Sequence, residues 1–430
     1  MIRCFRVTSC SLWLLAVVFA AALTSGSTGR AEDVQIRIQP NRVFPRIVYK
    51  LRVDVDRETP GVYWSWSATA GELLSDGERE VFWSSPPLPG KAVIGVVGLG
   101  ADDSGVASAL RGRIEVSVQR PSKEAMVFVP AGTSLIGDAW TDIKDRTWAP
   151  TVQNITDKPA RSVYLDSFWI DRNKVTNEQF CDFLNEFLSQ GLTRVVDGAA
   201  VGLYEGVEVP FYYFRIEKFA SEGPTPKLRN AIRWDGKRFS LRDGMEKHPV
   251  MDVTWSGAVT YAFYHGKRLP TDSEWEKAGR GTDGRHYPWG NEVPTPYHAN
   301  VNAYFGDAFV PVGSFSPTGD SPYGVADVLG GFEWVDDWFD SHYFRDTASE
   351  VPFDNPKGSM WGSDHLIRGA AVYHEFYGDA FNLEPLTFRY QWVFDFEHGH
   401  LFGHKDTGFR TALSPFSDEL PPGTQRTVTK

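Results

Sequence analysis

Cysteine is nearly missing: the 430 residues contain three, and two of them, Cys4 and Cys10, fall in the first ten positions. Beyond them only Cys181 remains, which excludes an intramolecular disulfide framework and leaves stability to packing. A long apolar run is also missing. The longest, Leu12 to Leu23, has about 12 residues, against the roughly 18 or more of a spanning helix. Positive charge is in deficit as well: Lys+Arg 44 against Asp+Glu 55 gives a net charge of −11, which argues against a nucleic-acid partner. There is no Gly-x-Ser-x-Gly nucleophile elbow and no phosphate-cradling glycine loop.

What the chain has in abundance is aromatic surface: 29 Phe, 16 Tyr and 15 Trp, with 42% hydrophobic and 23% charged residues. That composition belongs to a folded globular protein, not to a disordered or low-complexity one. The length suggests two or three domains at about 150 residues each. At the start, Arg3 and Arg6 precede the apolar run, and Gly29-Arg30-Ala31 offers small residues at cleavage positions. Residues 1–31 therefore read as a secretory signal peptide, and the expected location is periplasmic or secreted, with no stable membrane insertion after cleavage.

Residues 32–120 show period-two alternation in six short runs: Val34–Ile38, Ile47–Val55, Val62–Ala68, Glu80–Ser84, Ala92–Val97 and Ile114–Val118. Trp64 and Trp66 share one face of their run, and Val93, Gly95 and Val97 alternate in another. This predicts a small β-sandwich of immunoglobulin-like or PKD-like appearance. Residues 121–125 read as a polar linker, 126–415 as the main domain and 416–430 as a flexible tail.

In the main domain, Thr176 and Gln179 form a capping box ahead of an apolar stripe of Phe180, Phe183, Leu184, Phe187 and Leu188. Cys181 lies on that helix and reads as a half-buried structural thiol. A second helix is expected from Ser256 to His265, with His265 at the core or its rim, and a third opens at Thr271 with Glu274 reaching back.

A series of ordered motifs then defines a resemblance. Met126-Val127-Phe128-Val129-Pro130-Ala131-Gly132, Val175-Thr176-Asn177, His248-Pro249-Val250, Gly266-Lys267-Arg268-Leu269-Pro270-Thr271, Glu274-Trp275-Glu276-Lys277 and Tyr287-Pro288-Trp289-Gly290-Asn291 come first. Pro311-Val312-Gly313-Ser314, Tyr323-Gly324-Val325, Glu333-Trp334-Val335, Asp337-Trp338, Arg368-Gly369 and Gly408-Phe409-Arg410 follow. Together they resemble the formylglycine-generating enzyme, or sulfatase-modifying-factor, family. The resemblance implies an α+β, C-type-lectin-like domain with little regular structure, usually holding calcium. It also implies oxidation of a substrate cysteine by copper(I) between two thiolates after an Arg-Gly-Gly-Ser motif. Here that stretch reads Arg368-Gly369-Ala370-Ala371-Val372-Tyr373-His374-Glu375, without cysteine, so the thiolate-copper mechanism is not expected.

Calcium candidates are Asn300 and Asp307 where the family commonly binds one ion, and Asp327 and Glu333 where it binds a second. A hard cation takes six to eight oxygens. At the second position the segment Asp327-Val328-Leu329-Gly330-Gly331-Phe332-Glu333 is one residue short and lacks the family's asparagine; the competing reading is that these acids cap turns and face water. All ten histidines lie after residue 247. His398, His400 and His404 form a cluster suited to zinc, copper or iron(II), with Asp395, Glu397 and Asp406 available to orient the rings. His374 and Glu375, beside the stretch where the cysteines are missing, are the catalytic candidates. Against this stands a loop of packing or surface histidines, since H-x-H motifs are weak.

Two functions follow. One is a binding or assembly factor presenting an aromatic surface to an envelope protein, peptide or glycan. The other is a His-ligated iron or copper oxidase acting on a peptide or small molecule. Ordinary formylglycine generation ranks third.

Overall fold

The computed structural model describes residues 32–55, 62–75, 77–101, 107–137, 160–214, 231–292, 294–300, 309–340, 342–347, 353–359, 361–362, 364–370, 386–387, 389 and 407–419. They form two compact units. The smaller comprises the described residues up to Gln39 together with those of Val48–Val118, and the larger comprises Pro40–Ile47 with the described residues from Gln119. No helix among the described residues is long and apolar enough to cross a membrane.

The smaller unit consists of β1 (Glu32–Asp33), β2 (Gln35–Gln39), β3 (Val48–Asp54), β4 (Tyr63–Ala68), β5 (Glu72–Leu73), β6 (Glu80–Ser84), β7 (Gly90–Ala101) and β8 (Ala107–Val118). They make two four-stranded sheets, ordered β1-β8-β7-β4 and β2-β3-β6-β5. Alternation explains the strands. In β3, Tyr49, Leu51 and Val53 are buried while Val48, Lys50 and Arg52 face out. Trp64 and Trp66 are both buried, as their spacing requires. In β7, however, the inward set is Ala92, Ile94 and Val96, so Val93, Gly95 and Val97 form the outer face. β7 and β8 also run longer than their apolar cores suggest and pair along their whole length; where β7 passes β4, Gly98 lies against the Trp64 ring, which a Cβ there would meet at 2.6 Å.

The larger unit is mixed α+β, rich in short strands and irregular stretches. Its strands are β9 (Met126–Val129), β10 (Gly132–Ile136), β11 (Arg161–Leu165), β12 (Phe168–Asp171), β13 (Thr193–Val196), β14 (Ala199–Tyr204), β15 (Val207–Tyr213), β16 (Ile232–Trp234), β17 (Phe239–Leu241), β18 (Gly331–Trp338), β19 (Phe353–Asp354), β20 (His365–Ala370), β21 (Thr407–Phe409) and β22 (Ala412–Leu413). Small sheets result: β10-β11-β19, β22-β12-β9, β13-β14-β15, β16-β17 and β20-β18-β21. β18 pairs antiparallel with β20 and parallel with β21.

Three helices carry the core: α1 (Asn177–Ser189), α2 (Trp255–Tyr264) and α3 (Asp272–Arg280); α4 (Tyr343–Asp346) is a single turn. Both capping boxes form, Thr176 with Gln179 and Thr271 with Glu274, and Thr254 caps α2. α1 buries Phe180, Cys181, Phe183, Leu184 and Phe187 against Tyr212, Tyr261 and Tyr264. α2 starts one residue before its expected position. His265 caps its end with Nδ1 2.8 Å from the Tyr261 carbonyl, a partly buried rim position.

Pro40–Ile47, expected within the sandwich, and the expected linker and tail start are all packed in the larger unit. Pro40–Ile47 belongs to the larger unit: Arg42 pairs with Glu186 at 2.6 Å and lies over the Tyr264 ring, and Phe44 is buried against Gly266. Gly266 has φ +69, and a Cβ there would meet Phe44 at 2.4 Å. The expected linker and the start of the expected tail hold each other. Arg120 bonds Asp418 and Glu419, Lys123 bonds Glu419 at 2.6 Å, and Phe416 is buried. Residues 420–430 of that tail lie outside the described residues.

Gly257, in the first turn of α2, is the tightest test of this packing. A Cβ would lie 2.2 Å from the Phe211 carbonyl oxygen, which belongs to backbone and cannot swing away. Gly257→Ala is expected to destabilise the larger unit by about 2 kcal/mol or more, read as a lowered denaturant midpoint; an unchanged midpoint would contradict the α2–β15 contact.

Candidate functional site

The charged residues of the family-like motifs meet inside the larger unit. Every residue of α3 is buried, although its sequence is Asp-Ser-Glu-Trp-Glu-Lys-Ala-Gly-Arg. Burying charge demands partners, and they are present. Glu276 receives Arg280 at 2.5 Å, Arg368 at 2.8 Å, Arg389 at 3.0 Å and the Gly137 amide at 2.8 Å. Asp272 receives Arg368 and also Arg389 at 2.8 Å. Burial alone pushes the Glu276 carboxyl up, but Arg389, Arg368 and Arg280 outweigh it and hold it at about 2. The Arg368 guanidinium also lies over the Trp275 ring, 4.9 Å from its centroid.

A second buried centre forms around Glu333 on β18. Its Oε1 accepts from Arg410 at 2.7 Å and faces the Lys174 ammonium at 3.1 Å; its Oε2 accepts from Arg410 at 2.6 Å and the Trp275 indole at 3.1 Å. Arg410 spends its other donors on the carbonyls of Asp171, Arg172 and Ala326. Both Glu333 oxygens are thus committed to protonated donors, and Glu333 does not fit the role of calcium ligand expected for it. The segment one residue short of the family's pattern delivers this carboxylate to an arginine.

The other candidates divide. Asp327 sits at φ +52; its Oδ2 accepts from the Gly313 amide at 2.5 Å and its carbonyl from Lys174, while its Oδ1 is buried without a hydrogen-bond partner. Burial pushes its carboxyl above the usual range, against Gly313, Lys174 and Arg410. Asn300 is buried, with its backbone against Gly330. Asp307, His374, Glu375, His398, His400 and His404 lie outside the described residues, as do Asp395, Glu397 and Asp406. Among the described residues no three His, Cys, Asp or Glu side chains converge as a metal set. β20 ends at Ala370, so the chain carries Arg368 deep into the α3 cluster two residues before the stretch compared with the cysteine region.

Cys181 is a buried free thiol. Its Sγ accepts from the Asn185 amide at 3.7 Å, and burial pushes it up to about 11, which removes thiolate character at neutral pH.

One aromatic stack is not legible in the sequence. The His365 imidazole lies between Trp255 (3.5 Å, 6°) and Trp338 (3.8 Å, 25°), and Tyr204 meets Trp255 edge-on at 5.7 Å. His365 is buried, whereas nearby in sequence Trp361 is 80% exposed. The only prior signal was the chain's surplus of tryptophan, because rings from β14, α2, β18 and β20 meet only in the fold.

Comparison with known proteins identifies the family of the larger part of the chain. The family described as sulfatase-modifying factor enzyme 1-like domain matches residues 113–415. The formylglycine-generating enzyme of Thermomonospora curvata is 30% identical over 328 residues, covering 68% of this chain and 94% of that protein. The mouse formylglycine-generating enzyme is 31% identical over 264 residues, covering 57% of this chain and 65% of its own length. A Chlamydia pneumoniae protein named serine/threonine-protein kinase pkn1 is 32% identical over 214 residues, covering 49% of this chain and 29% of its own. The solved Reelin-N domain of F-spondin covers 24% of this chain and 98% of its own at 15% identity, with a TM-score of 0.18.

The buried charges make two tests. Asp337 accepts from the Asp272 amide at 2.7 Å, and burial together with the Asp272 carboxylate holds its carboxyl well above the usual range. Its protonated form therefore stabilises the fold, fully so below the ordinary carboxylate range of about 4, and that stability is lost as pH rises through the raised value. Asp337→Asn is expected to abolish this decline in denaturation midpoint with rising pH; an identical pH profile would contradict it. Glu333→Ala leaves Arg410 and Lys174 unpaired and is expected to cost about 3–5 kcal/mol, seen as a large fall in thermal midpoint.

Proposed function

The chain belongs to the sulfatase-modifying-factor family, and from that premise we propose that it acts as a binding or maturation factor of the cell envelope and not as a thiolate-copper oxidase. The observation that carries this reading is the cysteine inventory: the whole matched region, 113–415, holds Cys181 alone. Copper(I) prefers soft sulfur pairs, and one buried thiol raised to about 11 supplies neither a pair nor a thiolate. No step through copper is derived for this chain. Likeness to a protein named as a kinase supports the reading, since the domain accompanies another named activity there.

In this reading the Arg-anchored core is a rigid frame and the aromatic surface meets the partner, an envelope protein, peptide or glycan. The leader-like start, Arg3 and Arg6 before Leu12–Leu23, supports action in the periplasm or outside the cell. Calcium, the cation the family holds, belongs here to the stretch of Asn300 and Asp307. A second reading draws on the spacing of His398, His400 and His404: an iron or copper oxidase using these with His374 and Glu375.

Two measurements decide between them. Incubated with a cysteine-containing sulfatase peptide, copper and oxygen, the purified protein is expected to form no formylglycine by mass spectrometry; stoichiometric conversion would overturn the proposal. Elemental analysis is expected to find calcium without stoichiometric iron, copper or zinc. Transition metal that disappears in a His398→Ala, His400→Ala variant would establish the second reading instead.

A further inference from the structure

We infer that the Lys174 ammonium is a tethered cation standing where the family resemblance places a second calcium ion, so that the Asp327 turn and β18 are joined in this chain without a metal. The inference goes beyond the binding-factor reading and is independent of it. It starts from a disagreement: Asp327 and Glu333, the residues expected to hold that ion, have their oxygens taken. Glu333 Oε1 accepts from Arg410 at 2.7 Å and lies 3.1 Å from the Lys174 nitrogen, and Oε2 accepts from Arg410 at 2.6 Å and from the Trp275 indole at 3.1 Å. The Asp327 carbonyl accepts from Lys174 itself, and Asp327 Oδ2 accepts from the Gly313 amide at 2.5 Å. Of these oxygens only Asp327 Oδ1 has no hydrogen-bond partner among the described residues, far short of the six to eight that calcium takes.

The backbone brings the ammonium to this place. Lys174 lies between β12 and α1, and the chain is pinned on both sides of it: the Arg172 carbonyl accepts from the Ala326 amide at 2.8 Å, and the Val175 amide donates to the Phe409 carbonyl at 2.9 Å. Lys174 is thereby held between the chain neighbours of Asp327 and of Arg410. Its side chain is 1% exposed, against 0% for Glu333. A buried ammonium persists only when it is paired and hydrogen-bonded, and this one ties the carbonyl of Asp327, a residue at φ +52, to the carboxylate of β18. Gathering carbonyl and carboxylate oxygens from separate segments is what a bound calcium ion does. The charge count agrees. Asp327 and Glu333 carry at most two negative charges, and Lys174 and Arg410 carry two positive ones. A divalent ion added to this set would leave at least two positive charges buried without a counter-ion. Lys174→Glu reverses the sum: three carboxylates against one guanidinium leave up to two negative charges, which one calcium ion neutralises.

The test is the calcium dependence of the full chain, with wild type compared with Lys174→Glu and Lys174→Met. Thermal midpoints are read by circular dichroism in EGTA and in about 5 mM calcium chloride, and bound calcium is counted by elemental analysis after dialysis. Lys174→Glu is expected to melt about 10 °C below wild type in EGTA, to regain about half of that loss or more in calcium, and to hold one calcium ion more per chain than wild type. Lys174→Met, which removes the ammonium and adds no carboxylate, is expected to melt low in both conditions, with no calcium response beyond that of wild type. Comparison with wild type subtracts any ion held at Asn300 and Asp307. A Lys174→Glu variant that matches wild type in midpoint and calcium content, or that calcium fails to rescue, or equal rescue of Lys174→Met, would each overturn the inference. So would a reading that needs no variant: two or more calcium ions per wild-type chain, since Asn300 and Asp307 account for one. The peptide-oxidation assay does not depend on this outcome, so failure here and failure of the binding-factor reading are distinguishable.

Discussion

The larger unit depends on burying a charged helix without leaving any charge alone. α3 contributes Asp272 and Glu276 to the interior, and Arg280, Arg368 and Arg389 neutralise them from the helix itself, from β20 and from the segment near Leu386. A buried pair gains little over a hydrophobic one of equal volume, yet breaking it leaves an ion stranded at a cost of several kcal/mol. The consequence is specificity of position. β20 can sit in one place only, because Arg368 must reach both carboxylates, and β18 and β21 are tied in the same way through Glu333 and Arg410.

This frame explains how a fold with so little regular structure keeps its shape. The sheets are two- or three-stranded and the helices short, so ladder hydrogen bonds alone join few elements. Side chains do the joining. Lys277 donates to the carbonyls of Pro130 and Gly132, Lys174 reaches Asp327 and Glu333, and the Trp255 and Trp334 indoles bond the carbonyls of Val335 and Val253. The price of such a core is that several carboxyls have shifted titration, Asp337 upward and Glu276 downward. Those shifts belong to folding, so a displaced titration in this chain is not by itself a mark of catalysis.

Local signals in the sequence were legible where local physics decides. Thr176 with Gln179 and Thr271 with Glu274 mark helix starts because a cap is satisfied within four residues. Alternation marks the strands of the smaller unit because burial of one face imposes a period of two. The inward phase of β7 was not legible: small and β-branched residues occupy both of its faces, and only contact with neighbouring strands selects one. The allegiance of Pro40–Ile47 and the burial of Phe416 depend on partners more than 100 residues away, such as Glu186 for Arg42. Glu333 was read as a cation ligand from its place in a motif. Its true partner, Arg410, is 77 residues further along the chain. The Trp255–His365–Trp338 stack is illegible in the sequence for the same reason.

In the proposed reading, the lone Cys181 does not hold copper(I). Competition for copper(I) against a chromophoric chelator tests it most directly, with wild type and Cys181→Ser compared under reducing conditions. Neither protein is expected to draw copper from the chelator, and the two are expected to behave alike. A tight one-to-one copper(I) complex lost in Cys181→Ser would contradict it.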